Sequence, residues 1–353
     1  MNTIWERFFL YESKDMISRL YYEKHNREVT SQKAGEIISH FVQGREYFKS
    51  AKQSAEVVRP LLFYYGALAL SRGLILFLDT NARETSLKGS HGLGAYKWNE
   101  TLANGIQELP NVKVTFSKGT FMELLTVTRN IERWQVNTAP YPKPYFGETN
   151  LETNLGGGFS ITLNDILSRI PELAETYIEI FHKLPKCYQA NIFILNKETH
   201  TDISVMNTIE GLPNEEVLRK EFSISPDVQI TYQDNNYFLG NIHHMWFRLN
   251  HENELELNKI LPHIKNRGDN GYFIIAPLEN GNRFSSLVSF YVLSYFMGML
   301  VRYYPSQWQS LINRSKGDIT FPILIKAMNI FEEKFPSLIM EELLFGTSYY
   351  KKT

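Results

Sequence analysis

Ten consecutive residues from Leu61 to Leu70, LLFYYGALAL, form the most apolar window of this chain, and Leu74 to Leu78 extend it to Asp79. A segment that is apolar nearly all round over 55–78 folds as a helix at the centre of a bundle. A helix needs about 20 predominantly apolar residues to cross a bilayer. Arg59, Arg72 and Asp79 bracket and interrupt this stretch, so it reads as a buried core helix and no membrane role is expected. Pro60 suits an early helical position, where its missing N–H costs little. Gly66 and Gly73 fall on roughly one face. Glycine inside a helix is costly, and close approach of a neighbouring helix is the compensation expected there.

The rest of the chain is arranged around that helix. Residues 4–24 read as one helix with Trp5, Phe8, Phe9, Ile17, Leu20 and Tyr21 on its apolar faces. Ala34, Ile37, Ile38 and Phe41 have the i, i+3, i+4, i+7 period of a second, over 31–48. After Asp79, Thr80 and Asn81 the chain is less regular. Leu87 to Gly94 is glycine-rich and reads as a loop, with a short helix near 95–107. Val112 to Phe116, VKVTF, alternates like a strand, whereas Phe121 to Val127 fits strand or helix. Residues 135–160, with Pro140, Pro142, Pro144 and the glycines 156–158, read as a long loop. Thr162 with Asp165 three residues on is a capping-box variant. Strands are expected at Ala190–Leu195, Asp202–Met206 and Gly271–Ala276, and a hairpin joins Val228–Tyr232 to Tyr237–Leu239 around Asp234, Asn235 and Asn236. Ser285 or Ser286 caps a helix to about Tyr304, where Pro305 is compatible with its end. Two more helices cover 321–331 and 334–345.

The expected fold is mainly α: a helical bundle with a small antiparallel β-containing middle part. Its parts are an N-terminal helical part (1–108), a mixed α/β middle (109–280) and C-terminal helices (281–353) that pack back on the first.

Composition narrows the function classes. The 353 residues carry 37 basic and 38 acidic side chains, a net charge of -1. No global field draws in nucleic acid, although totals leave a local basic patch, and so nucleic acid, open. The single cysteine, Cys187, allows no intrachain disulfide and no CxxC knuckle, which fits a reducing cytosol; it reads as a packed small side chain. MNTIWERFFLYESKD lacks a basic segment followed by an apolar one, so a cytoplasmic location is expected. Aromatic residues make up 14%, consistent with a thick core edged by tyrosines, some of which line a pocket or an interface.

Two blocks carry a family likeness. One is RPLLFYYGALALSRGLILFL from Arg59 to Leu78, followed by Lys88, Gly89, Ser90, His91, Gly92 and Leu93; the other is SYFMGMLVRYYPSQW from Ser294 to Trp308. With these blocks and its length, the chain resembles the YaaC-like family of bacterial proteins. A Gly-His-Gly-Leu-like loop of that family occurs here with Ser90 between Gly89 and His91. The resemblance covers most of the chain and brings no reaction, ligand or cofactor with it.

No GxxxxGK[ST], GxGxxG or HExxH motif is present. The glycines 156–158 read as a plain loop rather than a phosphate cradle. His243, His244, His251 and His263 lie near Glu252 and Glu254, but their spacing is irregular, so no metal site and no cofactor is expected; His243 and His244 flank Trp246 at a loop or interface. Three positions stand out as candidate site residues. His91 in the glycine-rich segment has a side chain suited to acid–base work or to an anion. Arg72 and Arg302 each lie in an apolar helical run, where a guanidinium must find a partner. Arg19 and His25 match a spacing used by helical nucleases, at a frequency chance alone supplies. The leading expectation is a soluble cytosolic module that binds a partner protein, a second copy of itself or a small anionic ligand. The alternative is a metal-independent enzyme acting on RNA or a nucleotide through His91 or Arg19/His25 with Arg302.

Overall fold

The computed structural model describes residues 3–139, 143–151, 153–156, 158–197, 199–207, 215–216, 219, 224–237, 240–250, 264–266, 272–314 and 317–345. His251, Glu252, Glu254, His263 and Gly157 lie outside them. The chain is mainly helical with an antiparallel β-containing middle, and it divides into two compact units. The first comprises 1–130, 154–167 and 286–353; the second comprises 131–153 and 168–285.

The first unit contains helices α1 (Thr3–Tyr11), α2 (Lys14–His25), α3 (Ser31–Gln53) and α4 (Arg59–Leu78). The 4–24 segment is thus two helices rather than one. Ser13 is extended and its hydroxyl accepts the Met16 N–H, which starts α2 afresh. Thr30 caps α3 in the same way through the Lys33 N–H. Strand β1 (His91–Tyr96), helix α5 (Trp98–Leu102), strand β2 (Lys113–Gly119), helix α6 (Thr120–Thr128), strand β5 (Ser160–Thr162) and helix α7 (Leu163–Leu167) follow within this unit. The three strands form a sheet in the order β1-β2-β5. The unit closes with α9 (Ser286–Tyr303), α10 (Pro305–Ile312) and α11 (Phe321–Leu344).

Two sequence expectations change here, and one left open between strand and helix is decided. Leu87–Gly94 is not wholly loop, because His91 opens β1. Gly92 serves close packing: a Cβ there would stand 2.9 Å from Phe121 Cβ. Phe121–Val127 resolves as helix. The segments 321–331 and 334–345 form one helix, α11, with Pro336 buried inside it. The capping box holds: the Thr162 N–H donates to Asp165 and the Asp165 N–H returns to the Thr162 hydroxyl.

Helix α4 is gripped from several sides. Against α3, a Cβ on Gly44 would lie 2.5 Å from Leu70, one on Gly66 2.7 Å from the Phe48 ring, and one on Gly73 2.8 Å from the Phe41 ring. Against α9, a Cβ on Gly298 would lie 2.6 Å from Tyr64 Cβ. Against α11, Phe331 packs between Phe48 and Phe63 at centroid distances of 5.7 and 5.6 Å. Helices α4 and α9 are each long and apolar enough to cross a membrane, yet 67% and 83% of these stretches are buried within the fold. Their hydropathy serves a core.

In the second unit, β3 (Ile131–Ala139), β4 (Lys143–Asn150), β6 (Cys187–Asn196), β7 (His200–Asn207), β8 (Ile230–Tyr237), β9 (Gly240–Asn250), β10 (Ile264–Asn266) and β11 (Tyr272–Ile275) form an eight-stranded sheet, with helix α8 (Ala174–Phe181) beside it in the chain. The path runs β10-β11-β6-β7-β9-β8, with β3 paired to β6 and β4 to β3. Pairing is antiparallel apart from a short parallel contact of β3 with β6. The expected 135–160 loop is largely the β3–β4 hairpin. Pro144 sits in β4 opposite Asn137, tolerable because, among the described residues, β4 pairs on one side only. The expected turn at 234–236 is instead strand: these residues pair with 243–241, and the pairing continues to Tyr237 opposite Gly240. Polar residues suit β8 because, among the described strands, it lies at the edge of the sheet. Cys187 is buried against Phe273 and Ile275.

The glycine contacts yield a paired test. Gly66→Val overpacks the α3–α4 contact and should cost about 1–3 kcal/mol. Gly35→Ala, at an exposed α3 position with nothing within 4 Å of the new Cβ, should stabilise by about 0.5–1 kcal/mol. Urea unfolding of both variants, with midpoints moving in opposite directions, checks the assignment.

Candidate functional site

His91 is the first residue of β1 and is half-buried between α4 and α9. Its Nδ1 shares a hydrogen bond with the Tyr64 phenol. Its backbone carbonyl accepts from the Tyr291 hydroxyl at 3.3 Å. The imidazole packs edge-on to Tyr64, centroids 5.4 Å apart, and lies 6.0 Å from the Tyr295 ring. Tyr291 and Tyr295 are one helical turn apart on α9, hence on one face. The strand that carries His91 is therefore held by phenols from both core helices.

These phenols stay protonated. Burial pushes the Tyr64 and Tyr291 hydroxyls well above the ordinary tyrosine range and raises Tyr295 to about 12. His91 moves the other way: burial lowers its pKa first, and the positive charges of Arg302 and then Arg72 lower it further. The imidazole is therefore neutral near pH 7. When Tyr64 donates to Nδ1 the proton sits on Nε2; when Tyr64 accepts, Nε2 offers a lone pair. In both tautomers Nε2 has no hydrogen-bond partner among the described residues, and it can donate to an anion or take a proton.

The two arginines beside it have different surroundings. Arg72 donates to the Lys88 carbonyl at 3.0 Å and to the Thr120 hydroxyl at 3.4 Å. Thr120 is itself bonded to the Ser90 carbonyl through its N–H. Arg72 thus fastens the segment before His91 to the start of α6. Arg302 is exposed. It donates to the Tyr65 hydroxyl at 3.1 Å and lies 5.1 Å from the Tyr303 ring centroid, and no carboxylate pairs with it among the described residues. Tyr65 in turn stacks on Tyr47 and packs against Tyr64.

The structure therefore places Arg302 and Arg72 within electrostatic reach of His91. It does not bring together Arg19 and His25. Six residues apart on α2, they point to different sides of the helix. Arg19 pairs with Glu23 at 3.0 Å, and His25 bonds the Phe77 carbonyl at 2.8 Å while packing against Tyr21 and Phe77. These are structural employments. His243 and His244 lie on β9, in register with β7 and β8 on either side. Among the described residues no cluster of His, Cys, Asp or Glu is suited to a metal. Sequence reasoning missed Tyr64, Tyr65, Tyr291 and Tyr295. The signal was present as a Tyr-Tyr pair and an i, i+4 tyrosine pair inside otherwise apolar helices.

The blocks that form this site, α4 with the following loop and the second half of α9, are those that carry the family likeness. The family model of YaaC-like proteins matches residues 9–343, and the chain belongs to that family. No curated protein matches it.

The titration behaviour is testable. His25, His40 and His91 all have folded-state pKa values lowered chiefly by burial. Between those values and the ordinary one, about 6.5, the unfolded chain binds more protons. Their contribution to stability is complete above that pH and is lost as the pH falls below it. Arg302→Gln removes a positive charge near His91 and should raise the His91 pKa towards 6.5. Proton NMR titration of the imidazole checks the shift; a fall, or no change, refutes the electrostatic assignment.

Proposed function

We propose that the first unit binds a small anionic ligand at His91 and Arg302, in the cytoplasm, where a chain with one cysteine is suited to reducing conditions. The observation that carries the reading is Arg302: an exposed guanidinium held in place by Tyr65, with no carboxylate partner among the described residues, within electrostatic reach of a neutral imidazole. A guanidinium presents a planar fork suited to phosphate or carboxylate, and Nε2–H adds a further donor. The Tyr303 ring, 60% exposed, offers a stacking face to a ligand with a planar group.

Calorimetric titration with inorganic phosphate, a nucleoside monophosphate and a nucleoside triphosphate tests this. Loss of a charge-assisted bond in Arg302→Ala should weaken binding about tenfold or more, whereas Arg19→Ala should leave it unchanged. Equal affinity of wild type and Arg302→Ala would overturn the reading.

A second reading is metal-independent cleavage of RNA or a nucleotide. It is favoured by the same neutral imidazole, which can take a proton, beside a cation that can stabilise developing phosphate charge. Incubation with mixed RNA and nucleotides, alongside His91→Ala and His25→Ala, decides it; the expected outcome is no turnover. Binding is preferred to catalysis because the phenols packed around His91 among the described residues, Tyr64, Tyr291 and Tyr295, are all held above the ordinary tyrosine range and are poor second proton carriers. Light scattering after size-exclusion chromatography separately tests self-association.

A further inference from the structure

Tyr64 is fully buried in α4, with 0% exposure, and its ring is seated against Gly298. Its hydroxyl has one hydrogen-bond partner among the described residues, His91 Nδ1. A phenol carries one proton, and inside a fold that proton needs an acceptor. The neutral imidazole also carries one, on Nδ1 or on Nε2. With the proton on Nδ1, that N–H would donate to the phenol oxygen, and the buried O–H would be left without an acceptor. With the proton on Nε2, the O–H donates to the Nδ1 lone pair and no buried donor is orphaned. An unsatisfied buried donor is costly enough to favour the second arrangement by about tenfold or more. Nε2 itself has no partner among the described residues and is not one of the buried unpaired atoms, so its N–H can reach a ligand.

We propose that Tyr64 determines what the His91 site accepts: by donating to Nδ1 it holds the imidazole as the Nε2–H tautomer, so that His91 and Arg302 both present N–H donors and the ligand must bring oxygens that bear no proton. Sulfate, a carboxylate and a phosphate ester dianion share that chemistry. The ligand half of this assignment rests on the anion-binding reading above; the tautomer half does not. With Nδ1 engaged and Nε2 already protonated, the neutral ring has no free lone pair to take a proton from a ligand. Tyr64 acts through His91 and is a positioning residue. The groups around the ring hold their charge state near neutral pH: Tyr64, Tyr291 and Tyr295 stay protonated, and the Arg72 and Arg302 guanidinium groups stay charged.

Histidine-selective nitrogen-15 NMR of the full chain reads the tautomer with no ligand added, His91 being identified by the resonances lost in His91→Gln. The wild type should show a pyrrole-like Nε2 bearing the bonded proton and a pyridine-like Nδ1. Tyr64→Phe keeps the ring against Gly298 and removes only the hydroxyl; the two nitrogen shifts should then move towards each other as both tautomers become populated. A pyrrole-like Nδ1 in the wild type, or an unchanged tautomer balance in Tyr64→Phe, overturns the proposal. Calorimetric titration with sulfate, whose charge is fixed between about pH 7 and pH 8, tests the ligand half. Binding to an N–H already in place should change less than about twofold across that interval, whereas a ring that must first gain a proton would lose about tenfold per pH unit. The steeper dependence overturns the proposal. Absence of sulfate binding beside the expected tautomer overturns the anion-binding reading, and the ligand half with it, while the tautomer stands.

Discussion

Everything in the first unit depends on how closely α4 is approached by its neighbours. Gly44, Gly66 and Gly73 remove the side chains that would hold α3 away. The bared backbone is filled by Leu70, Phe48 and Phe41, so each glycine on one helix receives a large side chain from the other. On the α9 side, Gly298 accepts Tyr64. Interiors are packed to crystal-like density, and a methyl group inserted at such a contact has nowhere to go. The position of Tyr64 is therefore a consequence of helix packing, and the position of the His91 ring is a consequence of Tyr64.

That dependence explains the chemistry of the imidazole. A histidine oriented by a carboxylate would be drawn towards its charged form, as Glu84 draws His40 against the larger effect of burial. His91 is oriented by phenols, which burial keeps neutral. Two nearby guanidinium groups oppose its protonation further. The ring is fixed by neutral groups, and the charges that shift it are the two guanidinium groups. Such an arrangement favours an incoming anion and disfavours a cation, before any particular ligand is considered.

The helical frame was legible because its signals are local. The apolar run at 61–78, the period at 34–41 and the Thr162–Asp165 box each identify an element from a few neighbouring residues. Gly66 and Gly73 even disclosed that a helix comes close, though not which one. Errors arose where tertiary context overrides local chemistry. Pro144 and the 234–236 turn residues look like loop, yet edge strands tolerate both a missing donor and polar side chains. Gly92 looks like loop punctuation, but it lets Phe121 approach the backbone of β1. For the site, His91, Arg72 and Arg302 were visible as polar residues in unexpected company. Their tyrosine partners were not, because a tyrosine in an apolar helix is indistinguishable from core until the atom receiving its hydroxyl is known.

The two arginines show what the structure adds. In the sequence they are equivalent, each a guanidinium inside an apolar helix. A guanidinium has several N–H donors and no acceptor, so its role follows from where those donors go. Arg72 directs its own to Lys88 and Thr120, and with Thr120 bonded to Ser90 it fixes the segment leading into His91. Arg302 sits in the last turn of α9, where the helix dipole already favours a cation, and one tyrosine hydroxyl orients it without neutralising it. The restrained arginine limits where the segment leading into the ring can be, and the other leaves an unneutralised positive charge at the surface within electrostatic reach of the ring.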